Sequence, residues 1–154
     1  MSERVLRDCC AAFELAHDQA GLSTSAAELA DALFDQGRGD EADVWLELAQ
    51  ARAPEFDVSA QYTWRRVRAK LLAHSGARSE AGALAQEASR LAGGTDALHD
   101  HGRVLLDLAE VMSLSGRPAQ AAEEVRRAMQ LFKRKGDLVS ERAAQAMLSE
   151  LTVA

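Results

Sequence analysis

One glycine and three alanines recur in phase three times along this 154-residue chain. Gly37, Gly76 and Gly116 are separated by 39 and 40 residues, and each has an alanine seven residues before it and five and twelve residues after it. The alanines five residues after are Ala42, Ala81 and Ala121. A fixed period of this length indicates a stack of similar units, each too small to bury its own apolar face.

The repeated residue types suit two helices joined by a short turn. Glycine ends a helix readily because it adopts a left-handed conformation that other residues resist. Alanine allows two helices to approach closely, and bulky residues such as Leu33, Leu72 and Met112 fill the remaining space. The repeated glycines and alanines are therefore predicted to be structural positions of each unit.

Apolar residues recur with helical spacing along almost the whole chain, and strand-like alternation is nearly absent. The composition agrees, since the chain has only 2 prolines and 5% aromatic residues. No linker-like stretch interrupts it, so we expect one all-α domain over residues 1–154. The predicted helices span 3–20, 24–36, 39–53, 58–75, 77–92, 96–115, 117–135 and 138–152.

Composition also narrows the classes of partner. No apolar run is long enough to cross a bilayer, and residues 1–8 are charged where a secretory signal would be apolar, so we expect a cytoplasmic protein with no membrane association. The net charge is −6, which argues against nucleic-acid binding. Residues 1–57 contain 13 acidic and 4 basic residues, whereas residues 58–154 contain 11 and 14. This indicates either a polarised surface or solvated faces of uneven composition.

Seven residues of the first unit follow the tetratricopeptide signature, which ends in a proline. They are Leu29, Ala30, Gly37, Ala42, Leu46, Ala49 and Pro54. The stretch from Asp107 to Ala122 also resembles one repeat core. The chain therefore resembles the tetratricopeptide-repeat family over roughly residues 23–135.

Three features depart from that signature. The period exceeds the usual ~34 residues of the family. Ala85 occupies a position where a bulky residue is expected, and Gly93 and Lys133 replace the closing proline in the second and third units. Longer repeats of this kind are similar to the C-terminal helical arms of large bacterial signalling proteins, in which a nucleotide-cyclase or DNA-binding module and an ATPase module come first. The strings at 61–70 and 132–136 resemble those arms, although the chain contains no Walker loop.

The resemblance implies a right-handed α-solenoid of about three tetratricopeptide-like helix hairpins. The units would lie near 23–56, 62–95 and 102–135, with flanking helices at 3–20 and 138–152. It implies a protein–protein interaction scaffold or regulatory module in bacterial signalling or transcriptional regulation, with a possible homodimer through an end helix. In the alternative, the chain is the arm of a multidomain regulator that senses a small-molecule effector. Neither an enzyme nor a cofactor is implied.

In the family's geometry, the first helix of each unit lines a concave groove. Arg66 and Lys70 share a helix face, and with Arg103 they would form a basic patch for an acidic peptide or a terminal carboxylate. The alternative is that these charges are simply solvated. The carboxylate clamp of chaperone-binding relatives is absent, because Ala27 and Asp31 occupy the places of its lysine and asparagine. The groove candidates are Asp31, Phe34, Arg66, Lys70, His74, Arg103 and Glu110.

The remaining reactive side chains give weaker indications of a functional site. The adjacent Cys9 and Cys10 suit either a redox pair or two small buried residues. His99 and His101 flank Asp100, but residues two apart on a helix point away from each other and no third ligand is near, so no metal site is expected. No serine has the companion motif of a nucleophile, so no catalytic residue is predicted.

Overall fold

The chain forms eight α-helices in a computed structural model that describes residues 1–153. Helices account for 84% of the chain, and no strand occurs within the described residues. The prediction of an all-α fold is therefore confirmed. The helices are α1 (Glu3–Leu15), α2 (Gln19–Asp35), α3 (Gly39–Arg52), α4 (Val58–Ser75), α5 (Arg78–Gly93), α6 (Leu98–Leu114), α7 (Pro118–Lys135) and α8 (Leu138–Val153).

Left-handed glycines mark the turns after α2, α4 and α6. Gly37, Gly76 and Gly116 have φ angles of 77°, 94° and 75°, a region that strains any residue with a β-carbon. Gly76 is the C-cap of α4, and its N–H donates a hydrogen bond to the carbonyl of Ala73. The three equally spaced glycines thus have the conformation that their spacing predicts.

The starts of α4 and α7 follow ordinary rules for helix N-termini. The Asp57 carboxylate accepts a hydrogen bond from the Ala60 N–H at 2.8 Å and so caps α4. Pro118 is the first residue of α7, where its missing N–H is not needed. α6 begins at Leu98, two residues later than predicted, and the Thr95 hydroxyl hydrogen-bonds within the preceding turn.

The predicted boundary between the first two helices is wrong. α1 ends at Leu15, and the turn that follows contains His17 with a φ of 55°. Asp18 caps α2 by accepting a hydrogen bond from the Gly21 N–H at 2.9 Å, so Gly21 lies in a helix rather than at a break. A β-carbon at Gly21 would lie 2.7 Å from the ring of Phe13. This glycine therefore permits the close packing of α1 on α2.

Helices adjacent in the chain pack against each other. The most extensive contacts pair α2 with α3, α4 with α5 and α6 with α7, while α1 packs on α2 and α8 packs on α7. A second set of contacts joins α2 to α4 and α4 to α6, so these three helices lie side by side. One face of each of α2, α4 and α6 therefore contributes to a common surface.

The repeated alanines form the close helix contacts of the core. All nine are fully buried, which allows helix backbones to approach one another. Larger apolar residues fill the core in two main clusters, an N-terminal one that includes Leu33 and Trp64 and a C-terminal one that includes Val125 and Phe132. The alanines are Ala30, Ala42, Ala49, Ala69, Ala81, Ala88, Ala109, Ala121 and Ala128.

The two end helices are less buried than the central ones. α1 buries Leu6 and Cys10, and α8 buries only Ala144, whereas Val139 of α8 is exposed. Each end helix is thus covered mainly on one side. Within residues 1–153, no helix combines the length and the apolar character that crossing a bilayer requires.

Candidate functional site

Charged residues at helical spacing lie on the common surface of α2, α4 and α6. Residues three or four apart share one side of a helix, so each helix contributes a row of charges. We call the central group the charge network. Its three carboxylates and three cations balance each other at neutral pH. They are Glu28 and Asp31 on α2, Arg66 and Lys70 on α4, and Arg103 and Asp107 on α6.

Arg66 is the centre of the charge network, and only 4% of its side chain is exposed. Its guanidinium donates hydrogen bonds to Asp31 at 3.0 Å and to Asp107 at 2.8 Å, and it also binds Glu28. Arginine suits this position because its planar group presents five N–H donors in a fixed geometry. One side chain of α4 therefore connects α2 to α6.

The other two cations differ in accessibility. Lys70 is 8% exposed, binds Asp31 and lies 3.4 Å from a carboxylate oxygen of Asp35. Arg103 is 36% exposed and donates to the two carboxylate oxygens of Glu28 at 3.1 and 2.9 Å. Such bidentate pairing fixes the orientation of the guanidinium. Arg103 is thus the most accessible cation of the charge network.

Burial and ion pairing have opposite effects on the pKa values of the charge network. Burial raises the pKa of Glu28 and Asp31, but Arg66 and the other nearby cations outweigh it, so both pKa values lie below the usual range. Burial lowers the pKa of Arg66, yet its three carboxylates raise that pKa well above its ordinary value. Burial raises the pKa of Asp107, and the pairing with Arg66 does not fully offset this. Arg66 is therefore the cation that most favours the charged form of all three carboxylates.

A second group, which we call the rim cluster, lies near the C-terminal ends of the same helices and consists of Phe34, Asp35, His74 and Glu110. The rings of Phe34 and His74 meet edge to face with centroids 5.1 Å apart, and His74 Nε2 pairs with a Glu110 oxygen. The Lys70 ammonium lies 5.7 Å from the centre of the Phe34 ring and links the rim cluster to the charge network. Asp35 is 69% exposed, so solvent reaches this group.

All seven groove candidates from the sequence lie in these two groups. Arg66 and Lys70 are buried cross-links between helices, so an acidic partner would compete with carboxylates that already bind them. Glu28 and Asp107, the carboxylates that complete the charge network, are not among the residues predicted from the sequence. The available signal was spacing, since Glu28 precedes Asp31 by three residues and therefore shares its helix face.

Several recesses border these groups. A recess of about 380 Å³ adjoins the rim cluster and is lined by Phe34, Leu72 and His74. Asp40 and the ion pair of Arg68 with Asp43 also lie on its wall. A larger cleft of about 490 Å³ adjoins Arg103 and is bordered by residues from both ends of the chain. These two depressions are separate from each other, and a further recess of about 460 Å³ adjoins Glu110.

The remaining reactive residues, two histidines and two cysteines, form no common site. His99 Nδ1 lies 2.7 Å from an Asp137 oxygen, whereas His101 Nε2 is buried without a hydrogen-bond partner, and burial lowers the pKa of His101. Cys9 and Cys10 form no disulfide, and burial raises the pKa of Cys10 to about 11, which disfavours a thiolate. In the described part of the chain, no group of three or more His, Cys, Asp or Glu residues could hold a metal ion.

A scan against protein-family models finds no match, and a search of curated proteins finds none either. The geometry of the α2, α4 and α6 surface is therefore the basis for a functional assignment.

Proposed function

We propose that the chain is a right-handed α-solenoid of three tetratricopeptide-like hairpins, α2–α3, α4–α5 and α6–α7, flanked by α1 and α8. The in-phase left-handed glycines, the buried alanines and the adjacency of α2, α4 and α6 support this arrangement. A crystal structure would test it. One constant rotation should relate successive hairpins, and unrelated rotations would contradict the solenoid.

We further propose that the protein holds a segment of another protein on the surface of α2, α4 and α6. The observation that carries this proposal is the rim cluster, in which side chains from three separate units form one accessible group. Repeat proteins commonly bind partners on such extended surfaces. The charge network beneath stiffens the surface because Arg66 binds carboxylates on both neighbouring helices.

The rim cluster and its recess favour a partner segment that carries apolar and basic side chains. An apolar side chain would enter the recess beside Phe34, and a basic side chain would face Asp35 and Asp40, both of which are exposed. Complementary charge of this kind selects partners and speeds their encounter. An acidic partner would instead have to approach through Arg103, the more accessible cation.

Site-specific photo-crosslinking tests the proposal. p-Benzoylphenylalanine replaces Phe34 in one variant and Phe56 in a matched control, since Phe56 lies in the α3–α4 loop and is 87% exposed. Both proteins are produced in the cells that naturally make the chain, irradiated and analysed by mass spectrometry. We expect a protein adduct at position 34 that is absent at position 56. Identical adducts at the two positions would contradict the assigned surface.

A charge reversal tests the chemistry of the partner. Asp35→Lys, combined with the crosslinker at position 34, should reduce the adduct by at least about tenfold, because like charges across an interface are strongly unfavourable. Glu55→Lys is the control, since Glu55 is exposed in the α3–α4 loop. An increased adduct with Asp35→Lys would instead indicate an acidic partner.

A further inference from the structure

We propose that the 490 Å³ cleft binds one small amphipathic anion, a carboxylate attached to an apolar body. Its volume falls within the range of about 300–1,000 Å³ that is typical of small-molecule sites. Helices α1 and α8 border it together with α2, α6 and α7. This site is separate from the rim cluster, and the proposal does not depend on a protein partner.

The wall of the cleft is apolar on several sides. Leu6 of α1, Leu106 of α6, Phe132 of α7 and Ala143 of α8 all line it. Leu6 and Phe132 are otherwise buried in the core, so the cleft reaches down to core side chains. An apolar ligand body would lose water-exposed surface here, which is the main source of affinity in such pockets.

Arg103 and Glu28 form the charged part of the wall, and their hydrogen-bonding capacity favours an anion. A guanidinium has five N–H donors, and Arg103 uses two of them on Glu28. A carboxylate offers about four acceptor sites, and Glu28 already accepts three N–H groups, two from Arg103 and one from Arg66. The hydrogen-bonding groups that remain unused at this position are mainly N–H donors. A ligand carboxylate therefore suits it better than an ammonium group.

The charge network also allows Arg103 to change partner. When Arg103 turns towards a ligand carboxylate, Glu28 keeps its bond to Arg66 and is not left buried without a cation. Arg66 and Lys70, by contrast, are held by buried contacts to several carboxylates. Arg103 is therefore the cation that can bind a ligand without dismantling the network. His99, fixed by its pair with Asp137, provides a second polar group on the wall.

Calorimetric titration with decanoate tests this site, and decan-1-ol is the neutral comparison with the same chain length. We expect one decanoate per chain and binding of decan-1-ol that is weaker by at least about tenfold, because a charge-assisted bond to Arg103 is lost. Arg103→Gln should weaken decanoate binding by a similar factor. Its matched control is Arg90→Gln, since Arg90 pairs with Glu87 on the exposed side of α5.

A second variant tests the cleft without altering any charge. Ala143→Phe fills part of the cleft and should also weaken decanoate binding by at least about tenfold, whereas Ala83→Phe, at an exposed position of α5, should not. Circular dichroism checks that each variant is folded. If Arg103→Gln is not folded, Ala143→Phe and the decan-1-ol comparison decide the matter. Absence of decanoate binding, equal affinity for decan-1-ol, or unchanged binding by Ala143→Phe would each overturn the proposal.

Discussion

Two glycines lie inside helices because a phenylalanine ring occupies the space that a β-carbon would need. A β-carbon at Gly21 would lie 2.7 Å from Phe13, and one at Gly102 would lie 2.5 Å from Phe132. The first contact brings α1 close to α2, and the second brings α6 close to α7. At these positions glycine is a packing residue, although it weakens a helix by about 0.5–1 kcal/mol relative to alanine.

We expect Gly102→Ala to lower the free energy of unfolding by about 1–3 kcal/mol, because the added methyl group overpacks the contact with Phe132. Gly82→Ala is the matched control, since the nearest atom to its new β-carbon would be 3.8 Å away. It should raise the free energy of unfolding by about 0.5–1 kcal/mol. Urea denaturation measures both, and stabilisation by Gly102→Ala would contradict the packing argument.

Replacing Arg66, the centre of the charge network, should strongly destabilise the fold. Arg66→Met leaves Glu28, Asp31 and Asp107 without their shared cation, and breaking a buried ion pair from one side costs about 3–5 kcal/mol. Arg90→Met, which removes an exposed pair with Glu87, should have little effect. Urea denaturation at neutral pH compares the two. Equal stabilities would show that Arg66 does not hold the helices together.

Residue-scale features could be predicted where their cause is local in sequence. The left-handed conformation of Gly37 follows from glycine chemistry and spacing, and both can be read from the chain. The role of Gly21 depends on the ring of Phe13 in another helix. The partners of Arg66 likewise come from helices that lie 35 to 41 residues away. The sequence placed Asp31 on the same surface as Arg66 but did not identify Glu28 and Asp107.

At the scale of single elements, α8 combines a capping carboxylate with little burial. It buries only Ala144. The Asp137 carboxylate accepts a hydrogen bond from the Ser140 N–H at 3.0 Å, immediately before the helix begins. Hydrogen bonds from Ser140, together with the His99 pair, lower the pKa of Asp137 to about 2. The helix start is thus tied to an ionised group.

Acid should loosen α8. The folded pKa of Asp137 is about 2 and the ordinary value is 3.8, so the ionised cap stabilises the fold above pH 3.8 and loses that effect as the pH falls towards 2. Asp137→Ala should therefore reduce the hydrogen-exchange protection of α8 amides at pH 6. The difference from wild type should be small near pH 2 and should disappear below it. Asp137→Asn, which retains a capping oxygen, is the control. A difference that was as large at pH 2 as at pH 6 would contradict this titration.

Most helices could be predicted because their boundaries have local causes. The predicted span 58–75 matches α4, where Asp57 provides the N-cap and Gly76 the C-cap. The turn between α1 and α2 could not be predicted, since it places His17 in a left-handed conformation that is uncommon for residues other than glycine. Where a helix end lacks a usual capping residue, packing of the neighbouring helices determines where the helix ends.

At the scale of the whole molecule, the apolar core is divided along the chain. The N-terminal cluster draws on α1 to α4, and the C-terminal cluster draws on α4 to α8. The main contacts join helices that are one or two apart in the chain, so few interactions connect the ends. Trp45 and Trp64, the two tryptophans of the chain, both pack in the N-terminal cluster.

This division predicts that the two clusters can be uncoupled. Phe132→Ala should destabilise the C-terminal cluster by about 3–5 kcal/mol, so the loss of helical circular dichroism in urea should begin before the change in tryptophan fluorescence. Leu33→Ala, the control in the N-terminal cluster, should instead move the fluorescence transition first. Coincident transitions in both variants would show a single cooperative unit.

The position of Arg66 between carboxylates of two neighbouring helices limits how such a chain can lengthen during evolution. A tandem duplication of the segment that encodes α4 and α5 would place two copies of this arginine next to each other, each with carboxylates on only one side. Like charges would then meet in a buried position. Gene duplication could lengthen the chain more easily at its ends than at its middle. The α4–α5 segment should therefore tolerate duplication least.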